Sequence, residues 1–269
     1  MIQIDKENCI ACGKCVKDCI SANIEIVNEK ASVKREYCLM CGHCIAICPQ
    51  NAVTMEEYPM TDVKEYNENE FAIEPERLLD FIKFRRSVRQ FTREPIAEDK
   101  LLRIIEAGRF TATGSNRQDV SYIIVRDNLP KLRRLAIKRL SEITLQQAGQ
   151  NPALASFAQK WSNMLESDKE QSGKEDRLFY NAPVVLMLVS DSPVDAALAA
   201  SNMELMAVAL GLGVFYCGYF VRAAQGDEEI SSLLGLSEKQ EVKVCLVLGN
   251  PDVTYLRTAP RKSAIINWR

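Results

Sequence analysis

The sequence predicts a mixed chain of two unequal domains, a small cysteine-organised module followed by a larger domain of alternating strands and helices. Three observations predict it. Eight of the ten cysteines fall in two identical runs before residue 49. A polar, acidic stretch, EEYPMTDVKEYNENEFAIEP, then interrupts the pattern, with Pro59 and Pro75 near its two ends. Beyond it, short apolar segments rich in β-branched and aromatic residues alternate with segments of helical period. The 269 residues, 47% hydrophobic and 26% charged, suffice for a small module and one larger core. The expected boundaries are 1–57 for the module, 58–75 for a linker and 76–269 for the larger domain. A net charge of -2 argues against general affinity for nucleic acid. No apolar run reaches the roughly 18 residues of a membrane span.

The runs Cys9, Cys12, Cys15, Cys19 and Cys38, Cys41, Cys44, Cys48 share the spacing C-x2-C-x2-C-x3-C, offset by 29 residues. An iron cubane needs four thiolates on short, tightly turned backbone. Three come from each C-x2-C-x2-C loop, and the fourth cysteine of each run ligates the other cluster. On that rule Cys9, Cys12, Cys15 and Cys48 hold one 4Fe-4S cluster, and Cys38, Cys41, Cys44 and Cys19 hold the second. Pro49 after Cys48 completes the pattern, whereas Ile20 after Cys19 departs from it without removing a ligand. Zinc ribbons also use paired C-x2-C segments, but zinc would leave several thiolates unexplained. A disulfide framework is disfavoured because MIQIDKENC carries neither the basic nor the apolar region of an export signal. Reduced thiolates and such clusters are expected in the cytoplasm. Residues 1–57 resemble the bacterial two-cluster ferredoxins throughout.

Past the linker, Leu78, Leu79, Ile82 and Phe84 recur near the helical period, with Pro75 suited to a first turn, and EDKLLRIIEAGRF is a second helix. Strands are expected at 120–125, 183–190, 214–220 and 242–249. DAALAASNMELMAVALGLG is a strongly apolar helix ended by Gly211 and Gly213, expected to be buried and suited to a dimer interface. Residues 131–180 are mostly helical with an interruption near Gly149, Asn151 and Pro152, either a lid over a site or a solvated hairpin.

Three features bear on what the larger domain holds. RRSVRQF packs Arg85, Arg86, Ser87 and Arg89 at a helix end, where arginines either complement the helix terminus or fork onto a phosphate. ATGSNRQ sets Ala112, Thr113, Gly114, Ser115, Asn116 and Gln118 in a loop that is either an ordinary turn or a close approach to a heterocycle. GLGVFYCG is no dinucleotide fingerprint, because its glycines have the wrong spacing and follow a helix.

In this order, with NAPVVLMLV before the apolar helix and LGNP near the C-terminus, these features resemble the nitroreductase family of flavoproteins over residues 76–269. The resemblance implies FMN, an α+β sheet flanked by helices, and a homodimer with flavins at the subunit interface. Residue by residue it implies that Arg85, Arg86, Ser87 and Arg89 hold the phosphate and ribityl chain, and that Ala112, Thr113, Gly114 and Asn116 reach the neighbouring subunit's flavin. It implies that Tyr216, Cys217 and Gly218 line one face of the ring, and that Arg261 and Lys262 of TAPRK return to the phosphate, with Arg257 nearby. The family's loop usually continues Gln-Pro-Trp, whereas here Gln118 precedes Asp119 and Val120.

The expected function is an FMN-dependent oxidoreductase. Two 4Fe-4S clusters feed electrons to FMN, which reduces a small electrophile such as a nitroaromatic or quinone. Reduced ferredoxin or another donor, including NAD(P)H, stands upstream. Reduction of activated alkenes, reductive dehalogenation, or a non-catalytic role as electron carrier or redox sensor are the alternatives. His43 is expected to tune a cluster, Cys245 to be core, and no side chain is expected to act as a covalent catalyst.

Overall fold

The structure, a computed structural model, describes residues 1–148, 155–169 and 176–269. The chain divides into two compact units, Met1–Glu74 with Thr113–Arg117, and Pro75–Ala112 with Gln118–Arg269.

The first unit contains β1 (Ile2–Ile4), α1 (Lys14–Asp18), β2 (Ile24–Val27), β3 (Lys30–Val33), α2 (His43–Ala46), β4 (Val53–Met55) and α3 (Glu68–Phe71). β1 pairs antiparallel with β4, and β2 with β3. The second pair closes through Asn28 and Glu29, both at positive φ, the backbone hand that a two-residue hairpin loop requires. Ile2, Ile24, Ala31, Ala52, Val53 and Met55 pack with Cys9, Cys15 and Cys44 into one small core. A module with so little apolar area needs a further staple, and its cysteines are where that staple would act. The stretch expected as a linker holds a single 3-10 turn, Met60–Asp62, and the one turn of α3.

The second unit follows with α4 (Pro75–Phe84), α5 (Glu98–Arg109), β5 (Ser121–Val125), α6 (Leu129–Ala148), α7 (Ala155–Lys169), β6 (Val184–Val189), α8 (Pro193–Ala209), β7 (Gly213–Tyr216), α9 (Gly218–Ala224), α10 (Glu228–Leu234) and β8 (Val242–Gly249). Its four strands form one antiparallel sheet in the order β5-β6-β8-β7. The two-residue period of a strand assigns the faces. Val184, Leu186 and Leu188 of β6 pack with α5 and α8, while Val185, Met187 and Val189 pack with α6, α7, α9 and α10. With both faces covered, β6 reads as a continuous apolar run and not as an alternating one.

Two expectations are corrected here. VFYCGYF is not one strand: β7 ends at Tyr216, and α9 begins at Gly218. Cys217, Phe220 and Ala223 then recur every three residues and are all buried, a helical spacing that sends Tyr219 elsewhere. Gly213 does not help to end the apolar helix; it opens β7. The interruption expected near Gly149, Asn151 and Pro152 lies outside the described residues.

Candidate functional site

In the first unit the two cysteine runs fold as one turn used twice. Ala11 and Met40, at equivalent positions, have φ of 55° and 53°, and Gly13 and Gly42 have φ of 73° and 74°. Each glycine caps the short helix that carries the third cysteine of its run, Cys15 on α1 and Cys44 on α2. The left-handed caps are cheap for glycine, which has no Cβ to clash there. Backbone N–H groups point at the sulfurs: Ala31 to Cys9 at 3.3 Å, Met40 to Cys38 at 3.2 Å, Asn23 to Cys19 at 3.3 Å and Ala52 to Cys48 at 3.3 Å. The last two are the same contact repeated 29 residues on.

Cys9, Cys12, Cys15 and Cys48 line one cavity, floored by Ile4, Ala31, Ala52 and Val53. In the second run, burial pushes the Cys44 thiol up to about 11, and the neighbouring Cys38 and Cys41 add to the rise. Burial likewise raises Cys15, with Cys12 and Cys9 contributing, whereas the Ala31 N–H lowers Cys9. Thiols crowded this way resist ionising together in the absence of a cation, and iron would supply the charge that reverses the preference. The donor set, the cavity and the N–H···S bonds therefore fit a cluster. His43 is exposed and its Nδ1 lies 3.1 Å from Asp18 Oδ2.

Asn116 belongs to this unit as well. Its side-chain amide donates to Leu39 O and Met40 O, both at 2.9 Å, inside the Cys38-x2-Cys41 turn, and Tyr58 Oη donates to Met40 O at 2.7 Å. Thr113 and Gly114 group with the first unit and Ala112 with the second.

In the second unit, the chain after α4 runs extended along the sheet edge. Ser87 bridges Val214, Val88 N donates to Val214 O at 2.9 Å, and Phe91 bridges Pro251. This close approach depends on two glycines. A Cβ on Gly213 would stand 2.8 Å from Val88 Cγ1, and one on Gly249 would stand 2.6 Å from Phe91 Cδ1. The motifs RRSVRQF, GLG and LGNP are thus one packed arrangement.

The four residues of the arginine motif have different fates. Arg85 Nη1 donates to Glu204 Oε1 at 2.9 Å, and Glu204 is buried on α8. Burial pushes the Tyr216 phenol far above its ordinary range, and its hydrogen bond to Glu204 adds to the shift. Arg86 lies 4.3 Å over the Tyr255 ring, with its Nε buried and without a hydrogen-bond partner. The Arg89 guanidinium is 5.6 Å from the centre of the Phe215 ring.

Arg89, Tyr216, Cys217 and Gly218 line one open cavity of about 430 Å³. A Cβ built on Gly218 would meet nothing within 4 Å, so ring-sized space adjoins the backbone there. That space, with the Arg89 cation on its wall, fits an anionic, flat ligand, whereas Arg86 does not line it. Cys217 donates its thiol proton to Leu178 O at 3.4 Å, and its N–H to Cys245 O at 2.8 Å. Cys245 is buried as expected, and burial holds its thiol protonated. Arg261 and Lys262 stand in the exposed C-terminal stretch, where Arg261 Nη1 donates to Pro260 O at 3.2 Å. Asp119 accepts from Ser190 Oγ at 3.1 Å and Asp191 N at 3.2 Å, holding the turn after β6.

Several cavity residues escaped the sequence reading. Phe157, Lys160 and Trp161 come from α7, and Tyr219 and Arg222 from α9. Their i, i+3, i+4 spacing was readable as a helix face, but nothing local said which face meets a cavity. Glu204 had a weak signal, a single acid in the midst of an apolar helix.

A basic cavity beside a four-stranded sheet, joined in one chain to twin cubane-type cysteine runs, defines a redox class of protein. The chain belongs to the nitroreductase family, whose model matches residues 82–250, and residues 1–49 match a 4Fe-4S dicluster domain. It is 30% identical over 168 residues to an NADPH-flavin oxidoreductase of Vibrio harveyi, and 29% identical over 169 residues to an FMN reductase [NAD(P)H] of Bacillus subtilis, each match covering 62% of both chains. The chain thus spans about 62% of the length of these relatives. Among solved structures it is similar to a nitroreductase with bound FMN from Desulfitobacterium hafniense, at 25% identity and a TM-score of 0.53, covering 70% of this chain and 97% of that one.

Proposed function

We propose that this protein is an oxidoreductase that uses two 4Fe-4S clusters and FMN to carry electrons from a one-electron donor to a small conjugated electrophile, such as a nitroaromatic or a quinone. The observation that carries this reading is the single cavity shared by Arg89, Tyr216, Cys217 and Gly218, which come from two stretches more than a hundred residues apart. FMN, when bound, supplies the conversion between one-electron delivery and two-electron reduction. Arg86, Ser87 and Arg89 bind its phosphate and ribityl chain. Arg85 serves through Glu204, which it neutralises, and Glu204 in turn holds the Tyr216 phenol. Tyr216 and Gly218 face the ring, and the closely packed Gly213 and Gly249 fix the arginine segment against the sheet. Cys9, Cys12, Cys15 and Cys48 ligate one cluster, and Cys38, Cys41, Cys44 and Cys19 the other.

The working form is proposed to be a homodimer. Leu78, Leu79, Ile82 and Phe84 of α4 are exposed, as are Val194 and Leu198 of α8, and a second copy of the chain is the proposed cover. The proposed donor is reduced ferredoxin, a one-electron carrier; NAD(P)H is the alternative and, as a hydride donor, would reduce FMN directly.

Anaerobic stopped-flow tests the reading. Protein is reduced, freed of excess reductant and mixed with a nitroaromatic. Reoxidation of clusters and flavin with matching loss of the nitro compound supports the relay, whereas reduced clusters that never exchange with flavin, or purified protein without FMN, overturn it.

A further inference from the structure

The cavity carries more positive charge than a flavin site requires. Arg89 belongs to the flavin-assigned motif, but Lys160, Arg177 and Arg222 also line the space, and no carboxylate among the described residues does. The buried acid behind Tyr216, Glu204, is already matched by Arg85. Arg222 Nη2 donates to the neutral amide of Gln147, so its charge stays uncompensated in that contact. Lys160 has no ion-pair partner among the described residues.

The cations are paired with aromatic surface in a regular way. On α7, Phe157, Lys160 and Trp161 occupy one helix face at i, i+3 and i+4. On α9, Tyr219 and Arg222 occupy one face at i and i+3. Trp161 and Tyr219 join the helices edge to face, with centroids 5.3 Å apart and planes at 69°. Phe157 and Tyr219 leave ring surface exposed. A wall that alternates aromatic faces with cations, and holds no acid among its described residues, recognises a flat ring bearing negative charge. Confinement strengthens the attraction, because low-dielectric walls focus the field of like-signed groups.

Resting on the oxidoreductase reading above, we propose that the acceptor reduced at this site is a planar conjugated molecule with an anionic substituent, its ring against Phe157 and Tyr219 and its charge against Lys160 and Arg222. The flavin-assigned motif and this wall are then separate ligand sites within one cavity.

The test is a charge series on the FMN- and cluster-loaded full chain, kept oxidised so that only binding is read. Dissociation constants are measured by calorimetry for 4-nitrobenzoate, nitrobenzene and 4-nitrophenyl-trimethylammonium, with FMN content measured on the same samples. The anion is expected to bind tightest and the cation weakest, a spread of about tenfold or more that narrows as salt is raised. Lys160→Met is expected to reduce the anion-over-neutral preference by about fivefold at unchanged FMN content, and Lys160→Arg to restore it. Equal binding across the series, or an unchanged preference in Lys160→Met, overturns the inference while leaving the oxidoreductase reading intact. Loss of FMN from Lys160→Met overturns it too, because the cations would then serve the flavin. Native protein that carries clusters but takes up no FMN defeats the oxidoreductase reading itself.

Discussion

Arg85 donates from Nη1 to Glu204 Oε1 at 2.9 Å, across 119 residues of sequence, and places its charge against a buried acid of α8. A buried pair of this kind is costly to break from one side, because the remaining charge is left in a poor solvent. Arg85→Met is expected to destabilise the protein by about 2 kcal/mol, since Arg85 keeps some solvent contact. That corresponds to a drop of roughly 5 °C in the unfolding midpoint. The double variant Arg85→Met with Glu204→Leu is expected to recover part of the loss, which calorimetry of the two proteins side by side decides.

Tyr216 is expected to contribute to the protein's alkaline limit. Its phenol is held above the ordinary value of 10.0 by burial first and Glu204 second, so the folded state keeps a proton that the unfolded state gives up. A raised pKa contributes stability that is complete below about pH 10 and is lost as pH climbs past the unfolded value. Thermal melts between about pH 8 and 11 are expected to show a steeper alkaline fall for the native sequence than for Tyr216→Phe. Parallel curves would remove Tyr216 from the account.

Cross-ligation of the clusters has a direct readout. Cys48→Ser is expected to damage the cluster of Cys9, Cys12 and Cys15, with Cys19→Ser damaging that of Cys38, Cys41 and Cys44. Iron analysis with low-temperature electron paramagnetic resonance is expected to show about half the iron lost or labile in each variant, with a different signal surviving in each.

Gly249→Ala forces a methyl group to within 2.6 Å of the Phe91 ring. The expected cost is about 2 kcal/mol, together with weaker FMN retention, because the displaced segment carries the arginines. Phe91→Leu in the same chain is expected to relieve much of the strain, which fluorescence-monitored flavin titration and melts report together.

Charge placed on the exposed face of α4 tests assembly. Leu79→Glu with Ile82→Glu is expected to give a monomer in light scattering, where the native chain gives a dimer, with the clusters unaffected.

The parts of this protein that were legible in its sequence are those written locally. The cysteine spacing is set by one turn and its glycine cap, so it can be read without knowing what packs beside it. β8 was expected at 242–249 and is found at Val242–Gly249, because its apolar run and the flanking Gly249 and Asn250 agree. Tyr216, Cys217 and Gly218 were named together, yet the strand that carries them was drawn too long. β-branched and aromatic residues continue to Val221, and only burial of Phe220 and Ala223 on a helical period reveals the turn into α9. The cationic wall was illegible for a different reason. Lys160 and Arg222 look like ordinary polar-face residues of two helices, and become a site through the packing of α7 and α9 against the same sheet face. Asn116 was assigned to a flavin by resemblance, while its amide is occupied with Leu39 and Met40 carbonyls.

The fit of Val88 and Phe91 over Gly213 and Gly249 has a consequence for how such a protein can change through descent. Three segments, the first more than a hundred residues from the other two, each occupy space that the others have vacated, so none can drift alone. A larger residue at either glycine demands a smaller one opposite, and a smaller residue opposite leaves a void that loosens the arginines. The three stretches therefore behave as one heritable unit, whereas the exposed cavity residues of α7, Phe157 and Lys160, are free to vary and to adapt the protein to new acceptors.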